Sequence, residues 1–334
     1  MKENYKAWDV DIEDFYKQET SEDKLRFLLN FAILAPSSHN SQPWSFEIIE
    51  NNILVHPEQT RRLTESDKND RQLYISLGCA VENLVTTADY YGYLTNIEYL
   101  PDIVKISFSE AEQNKDNKLI SSILSRSMNR NKYNDTLLPR DFLEQIKSLS
   151  NDNLNIHIVE DKDKKNALAN TTLNAAIEAM GDKGFRRELS KYVKSNITRS
   201  KVGMPGFSLG IPTPISLIIP TLLKYININK LSRKQDEKLL KDHTPMFIMI
   251  STKDDNKKSW IKAGQMYEKI ALLAESKNIK TSVWAAPIQI GDFYKGFQKV
   301  LQTDCRPQVF FRIGYSEKKS KHSPRLNTSD IFNK

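Results

Sequence analysis

An α+β fold is predicted for this 334-residue chain on three observations. Apolar residues recur at helical spacing, most cleanly over 73–91, where Leu73, Leu77, Ala80, Val81, Leu84, Ala88 and Tyr91 form one stripe that Gly92 stops. Short strand-like runs come in pairs, 45–49 with 53–56 and 97–100 with 103–108, each pair split by turn formers. Two further runs, 246–251 and 308–313, are apolar enough to be buried strands.

Composition narrows the class. With 39% hydrophobic residues the chain can bury a core, as one large domain or two small ones. The formal charge is +7, but the lysines read as mixed with acids, as in 161–165 and 253–258, and such runs are usually solvated surface. The cluster 318–321 is short and lacks interleaved aromatics, so no nucleic-acid partner is expected. No run approaches the ~20 apolar residues of a spanning helix, so no membrane partner is expected. The acidic start carries no signal-peptide pattern, and Cys79 and Cys305 form no framework or metal-type pair, so a cytoplasmic location is expected.

In chain order, residues 1–20 carry Tyr5, Trp8, Phe15 and Tyr16 among charges, as an arm packed on a body would. Thr20 to Asp23 matches a capping box, and Leu25, Leu28, Phe31, Ala32 and Ala35 keep helical spacing until Pro36. Asn51-Asn52 suits the turn between strands 45–49 and 53–56. Within 119–132 a helix-like run is ended by residues 126–130, and a strand at 155–159 and a helix at 164–180 follow. Residues 181–243 look irregular, with Pro212, Pro214 and Pro220 interrupting an apolar stretch, and suggest a lid or a packed arm. Trp260, Gly264, Tyr267, Ile270, Ala271 and Ala274 form a last long helical stripe.

Four separated motifs carry chemistry. The first, residues 35–44, reads Ala-Pro-Ser-Ser-His-Asn-Ser-Gln-Pro-Trp. Its Ser37, Ser38, Asn40 and Gln42 can donate and accept at the edge of a heteroaromatic ring, and Trp44 can cover apolar surface. By composition alone it is equally an ordinary turn. Arg126-Ser127-Met128-Asn129-Arg130 offers guanidinium forks suited to phosphate, or else a solvated basic turn. The others are 284–291, Trp-Ala-Ala-Pro-Ile-Gln-Ile-Gly, and the C-terminal His322-Ser-Pro-Arg325.

Together these resemble the flavin-binding nitroreductase family. There an Ala-Pro-Ser-x-x-Asn-x-Gln-Pro-Trp segment touches the FMN ring, an Arg-x-Ser-x-Arg element and a C-terminal Ser-Pro-Arg hold the phosphate, and a Pro-Ile-Glu-Gly loop faces flavin N5. Gly78-x-Ala-x-x-Asn-Leu84 and Trp260-x-x-x-Gly264 also match. Here Met128 replaces the middle serine, Ser127 is shifted by one, and Gln289 stands for the usual acid with one extra residue before Gly291. The arginine element follows the ring loop, whereas it normally precedes it. The resemblance therefore points to the fused twin-repeat (Acg-like) branch, a nitroreductase fold in which one chain of two degenerate repeats mimics the family dimer. Its expected parts are an arm at 1–20, halves at 21–118 and 119–334, and a lid-like insert at 181–243.

The resemblance implies noncovalent FMN. Arg126, Ser127, Arg130 and Arg325 would serve the phosphate end, Pro36, Ser37, Ser38, Asn40 and Gln42 the ring and ribityl face, and Pro287, Gln289, Ile290 and Gly291 the N5 edge. It implies NAD(P)H-dependent ping-pong reduction of nitro compounds or quinones, or, if the lid stays shut, flavin storage. A flavin-free partner-binding protein is a third reading. No catalytic acid or base is required, because hydride transfer belongs to the flavin, although His39 is a candidate proton donor. The five histidines show no metal spacing, and no metal is expected. A monomeric pseudo-dimer or a homodimer is expected.

Overall fold

The computed structural model describes residues 2–114, 119–227 and 229–332. The expected boundary between halves, at 118, lies outside the described residues. Two short 3-10 turns at Glu3–Trp8 and Ile12–Lys17 make the N-terminal arm, which buries Phe15 against Tyr91 with ring centroids 3.9 Å apart.

Helix α1 (Ser21–Ala32) starts as its capping pattern requires, the Thr20 hydroxyl accepting from Asp23 N–H at 3.0 Å. Strands β1 (Trp44–Ile49) and β2 (Asn52–Pro57) pair antiparallel, with Ile49 opposite Asn52. The turn is therefore Glu50-Asn51, one residue earlier than expected, and Glu50 takes the left-handed conformation that such a turn demands. Helix α2 (Arg71–Tyr90) follows, buried almost all round, and then β3 (Tyr93–Tyr99) and β4 (Val104–Glu110). The sheet order is β1-β2-β4-β3.

Helix α3 (Leu119–Ser125) stops at the Arg126 to Arg130 element, where the sequence ends the helix-like run. The chain leaves the helix because Asn129 N–H donates to Thr281 O at 3.1 Å, a partner far away in sequence. Then come α4 (Arg140–Lys147), β5 (Leu154–Val159), α5 (Lys162–Gly181), α6 (Lys183–Tyr192), β6 (Val193–Lys194), β7 (Met204–Pro205), α7 (Thr213–Tyr225), α8 (Asn229–Asp242), β8 (Met246–Thr252), α9 (Lys257–Ser276), β9 (Lys280–Val283), α10 (Ala286–Gln289), α11 (Phe293–Leu301) and β10 (Arg306–Gly314). The second large sheet runs β5-β8-β10-β9, again all antiparallel. Its plan repeats that of the first sheet: a helix, two strands, a long buried helix and two strands, ordered first-second-fourth-third. The insertion α5–α8 stands where the first sheet has a two-residue turn.

The long helices α2 and α9 pack together at the centre, and two glycines let them approach. A Cβ at Gly78 would collide with the Ile261 carbonyl, and one at Gly264 with the Ile75 carbonyl. The contact is reciprocal: each glycine meets the residue three before the other, as across a two-fold axis. Gly264→Ala is expected to destabilise the protein by about 3 kcal/mol or more, because backbone cannot yield as a side-chain tip can. A melting temperature unchanged from wild type would overturn this.

Residues 181–243, expected to be irregular, hold three helices. Pro212 caps α7 and Pro214 sits in its first turn, where no helix hydrogen bond is lost, so only Pro220 interrupts it. Val193, Met204, Ile219 and Leu223 give the insert a small core of its own. Among the described residues no helix is long and apolar enough to cross a membrane.

Candidate functional site

The end of α1 and the loop after it build one wall. Within four residues His39, Asn40 and Gln42 all take left-handed backbone, φ 54°, 53° and 51°. Asn tolerates this; His and Gln rarely do, and such strain, of order 1 kcal/mol or more per residue, persists only where surroundings impose it. Here Gln42 N–H donates to Ser37 Oγ (2.9 Å), Asn40 N–H to Ser37 O (3.0 Å), and Arg61 donates to Gln42 O and Trp44 O.

Against this wall lie the arginines. Arg126 Nη2 and Arg325 Nη2 both donate to Leu34 O, at 3.4 and 3.1 Å, at the electronegative end of α1. Arg325 Nη1 donates to Asn40 Oδ1 at 2.7 Å, while its buried Nε has no partner. Behind them is Glu268 on α9, fully buried, with Oε1 2.9 Å from Arg126 Nε in an ion pair that lacks hydrogen-bond alignment. Burial raises the Glu268 carboxyl above the usual carboxylate range, with Arg126 pulling the other way. Burial also opposes the charge on Arg126, but Glu268 together with Tyr267, Cys79 and Glu275 outweighs it and holds the guanidinium above its ordinary value. Arg325 is pushed down to about 9 by burial and by Arg126.

These groups enclose a cavity of about 50 Å³ lined by Pro36, Ser37, Asn40, Arg126, Ser127, Met128, Arg130 and Arg325, with Trp8, Met204, Ser208 and Lys321 to Ser323. That is room for a few waters. Its donors are the buried guanidinium groups of Arg126 and Arg325, with Arg130 and the exposed Lys321 ammonium beside them, a combination made for a phosphate or similar anion.

Two segments close it. The strap 201–204 is fastened to the loop: Asn40 Nδ2 donates to Gly203 O (2.9 Å), Gly203 N–H to Asn40 O (3.1 Å), and Gln42 Nε2 to Lys201 O (2.8 Å). Asn40 Nδ2 also donates to Pro324 O, and Leu326 N–H to Gln42 Oε1. The side chains of Asn40 and Gln42 are thus engaged with protein groups, although the sequence offered them as free donors and acceptors. The N-terminal arm is the other cover. Asn4 Nδ2 reaches Thr198 O and Ser200 O, Trp8 Nε1 donates to Ser323 O, and the Trp8 ring stacks on His322 with centroids 3.8 Å apart.

The expected N5-edge residues lie apart from this cavity. Pro287 is buried, Gln289 Nε2 donates to Ser66 O at 2.9 Å, Ile290 is extended, and Gly291 takes φ +44°. They join the site through two relays. Met128 Sδ receives Val283 N–H at 3.3 Å, at the end of β9 that leads into α10. Ser66, held by Gln289, donates through both N–H and Oγ to Glu188, whose helix α6 sets Phe185 and Tyr192 within 6.2 and 5.9 Å of His39. Burial, opposed by Glu188 and aided by Arg130, lowers His39 to about 4, so it is neutral near pH 7.

Of the residues named from sequence, Pro36, Ser37, Asn40, Arg126, Ser127, Arg130 and Arg325 line one cavity. Ser38 and Gln42 belong to the same loop without lining it, and Pro287 to Gly291 stand behind a relay. Trp44 is not part of the site; it is fully buried at the start of β1. Glu268, Trp8 and Lys321 were missed. Glu268 sits on the apolar-striped helix 257–276, where a carboxylate buried in mid-helix is the one signal that could have singled it out.

No family model matches the chain. Two curated proteins of Mycobacterium tuberculosis, from strains H37Rv and CDC 1551, are each 21% identical over 301 residues, which is 87% of this chain and 85% of the relative. Both are provisionally named NAD(P)H nitroreductases. Among solved structures, the FMN and NADPH-dependent nitroreductase NfnB from sphigopyxis sp. strain HMH is 14% identical, covering 65% of this chain and 98% of that one, with a TM-score of 0.42. NfnB from Mycobacterium smegmatis in complex with NADPH is 13% identical over 64% and 95%, also at 0.42. In its motif wording, and over most of its length against the curated relatives, this chain resembles the nitroreductase family.

Proposed function

We propose that this protein binds FMN and acts as an NAD(P)H-dependent flavin oxidoreductase on electron-poor acceptors such as nitro compounds or quinones. The observation that carries the reading is the desolvated arginine cavity beside a strained Pro-Ser-Ser-His-Asn-Ser-Gln loop, with the unpartnered Arg325 Nε in its wall. The donor set fits a phosphate monoester. Arg126, Arg130 and Arg325 would hold that phosphate, Pro36, Ser37 and Asn40 would flank the chain leading from it, and Pro287 to Gly291 would border the ring. FMN, once bound, supplies the hydride chemistry. The protein supplies the charge at one end, the neutral His39 at reach of the loop, and covers that exclude water.

The same reading takes the chain as two degenerate repeats. The shared strand order of the two four-stranded sheets and the reciprocal glycine contact of α2 and α9 support it. So does the origin of the cavity wall, which takes its loop from the first repeat and its arginines from the second.

A second reading, a closed flavin-holding protein, is favoured by one observation. The strap is fastened across the loop by three hydrogen bonds, and the cavity of about 50 Å³ has no room for a three-ring system until the strap or arm moves. Anaerobic stopped-flow absorbance of FMN-loaded protein against NADH and NADPH separates the two. Rapid bleaching of the flavin band is the outcome expected of the reductase. A band that only dithionite bleaches would establish the closed form, and a colourless protein that takes up no FMN would end both readings.

A further inference from the structure

The net positive charge of this chain comes from one stretch of sequence. Residues 191–241 hold 10 Lys and Arg against 2 Asp and Glu, a net +8, so the rest of the chain, with +7 overall, sums to −1. The segment runs from the end of α6 through the strap, whose Lys201 pairs with Asp330 at 2.7 Å, and contains α7 and most of α8.

Helix α7 is apolar on both sides. Ser216, Ile219 and Leu223 face inward and are buried, whereas Ile215, Leu217 and Ile218 are 47%, 54% and 55% exposed. Tyr225 and Ile226 extend the exposed set at 69% and 52%. Ile197, 62% exposed, belongs with them, because the turn that carries it is fastened to the start of α7: Asn196 Nδ2 donates to Ile211 O and Thr213 Oγ1, and Asn196 N–H to Ser216 Oγ. A helix packed on one side ordinarily shows water a polar face. This one shows isoleucine and leucine, with Lys224 held over the Tyr225 ring at 5.2 Å and exposed Arg199, Arg233, Lys234 and Lys238 in the same segment.

Whatever covers this face must accept apolar side chains and carry negative charge. A second copy meets the first condition and fails the second, since it would bring Arg199, Lys224 and the basic residues of α8 against their own kind. An anionic lipid bilayer meets both, with headgroup charge outside and hydrocarbon a few ångströms below. No described helix can span it, so the association is one of lying on the surface.

We propose that the insertion docks on an anionic lipid surface, the outward side of α7 and Ile197 entering the headgroup layer while Arg199, Lys224 and the exposed basic residues of α8 face the lipid phosphates. The absence of a spanning helix among the described residues is compatible with this. The proposal stands independently of the cofactor.

Sedimentation of the purified full chain with vesicles tests it. Binding to phosphatidylcholine vesicles containing phosphatidylglycerol is expected to exceed binding to phosphatidylcholine alone by about tenfold or more, and to fall as salt is raised. The pair Ile215→Ser with Ile218→Ser, and separately Arg233→Gln with Lys234→Gln, should each weaken binding by about tenfold, with melting temperatures kept. No binding to the anionic vesicles, or variants that bind as wild type does, would overturn the proposal. So would analytical ultracentrifugation showing a dimer that Ile215→Ser with Ile218→Ser dissolves while vesicles stay bare, which would make the face a contact between copies.

Discussion

Replacing Arg325 by alanine is expected to weaken FMN binding by roughly 10- to 100-fold, the size of one charge-assisted contact to a phosphate. Arg325 is buried, its Nε is unpartnered and its other nitrogens are fixed by Asn40 Oδ1, Leu34 O and Pro324 O, so the fork is already oriented before any anion arrives. Such pre-organisation keeps the entropy cost of binding low. The same bonds also tie the C-terminal segment to the loop, so a loss of affinity alone is ambiguous. Riboflavin removes the ambiguity because it lacks the phosphate. Titrations of both flavins by fluorescence quenching should show the preference for FMN collapsing in Arg325→Ala while riboflavin binding changes little. Arg325→Lys should fall between, keeping the charge without the fork. Equal losses for FMN and riboflavin would assign Arg325 to structure and take the phosphate site away from this cavity.

The largest effect on stability is expected from Glu268→Ala. Removing one partner of a buried ion pair leaves the other charge without compensation, which costs about 3–5 kcal/mol. Arg126 would be that stranded charge, with the Arg325 guanidinium close enough to feel it. If FMN phosphate occupies the cavity, it supplies the missing negative charge. Urea unfolding should then show the variant losing much more stability without FMN than with it, and FMN bound more tightly than by wild type. Adding Arg126→Ala to Glu268→Ala should recover part of the loss, because the stranded charge goes too. An identical loss with and without FMN would mean that the pair is purely structural and remote from the anion.

Much of the site was legible because it is written in contiguous motifs. The 35–44 loop, the Arg126 to Arg130 element and the terminal Ser-Pro-Arg each carry their chemistry within ten residues, and the structure gathers all three at one cavity. The roles of individual side chains were less legible. Nothing local distinguishes an amide aimed at a ligand from one tied to a carbonyl, and Asn40 and Gln42 are tied to segments some 160 and 284 residues away. Glu268 and Trp8 were invisible for the same reason: what makes each matter is a partner distant in sequence.

The chain alone determined α1, α2, α9 and the strands β1, β2, β8 and β10 to within a few residues, and its α+β class, since capping, turns and apolar periodicity are set by neighbours a few residues apart. It also determined how close α2 and α9 come, because glycines at 78 and 264 are the only side chains small enough for two backbones to touch there. The tertiary structure decided what periodicity cannot carry. It turned the chain after α3 to pair Asn129 with Thr281, folded the proline-broken insert into helices, and closed the cavity with strap and arm. The cause is common to all three: each rests on hydrogen bonds and burial between segments far apart in sequence, whose free energy outweighs local preference once the two sheets and the central helix pair have brought them together.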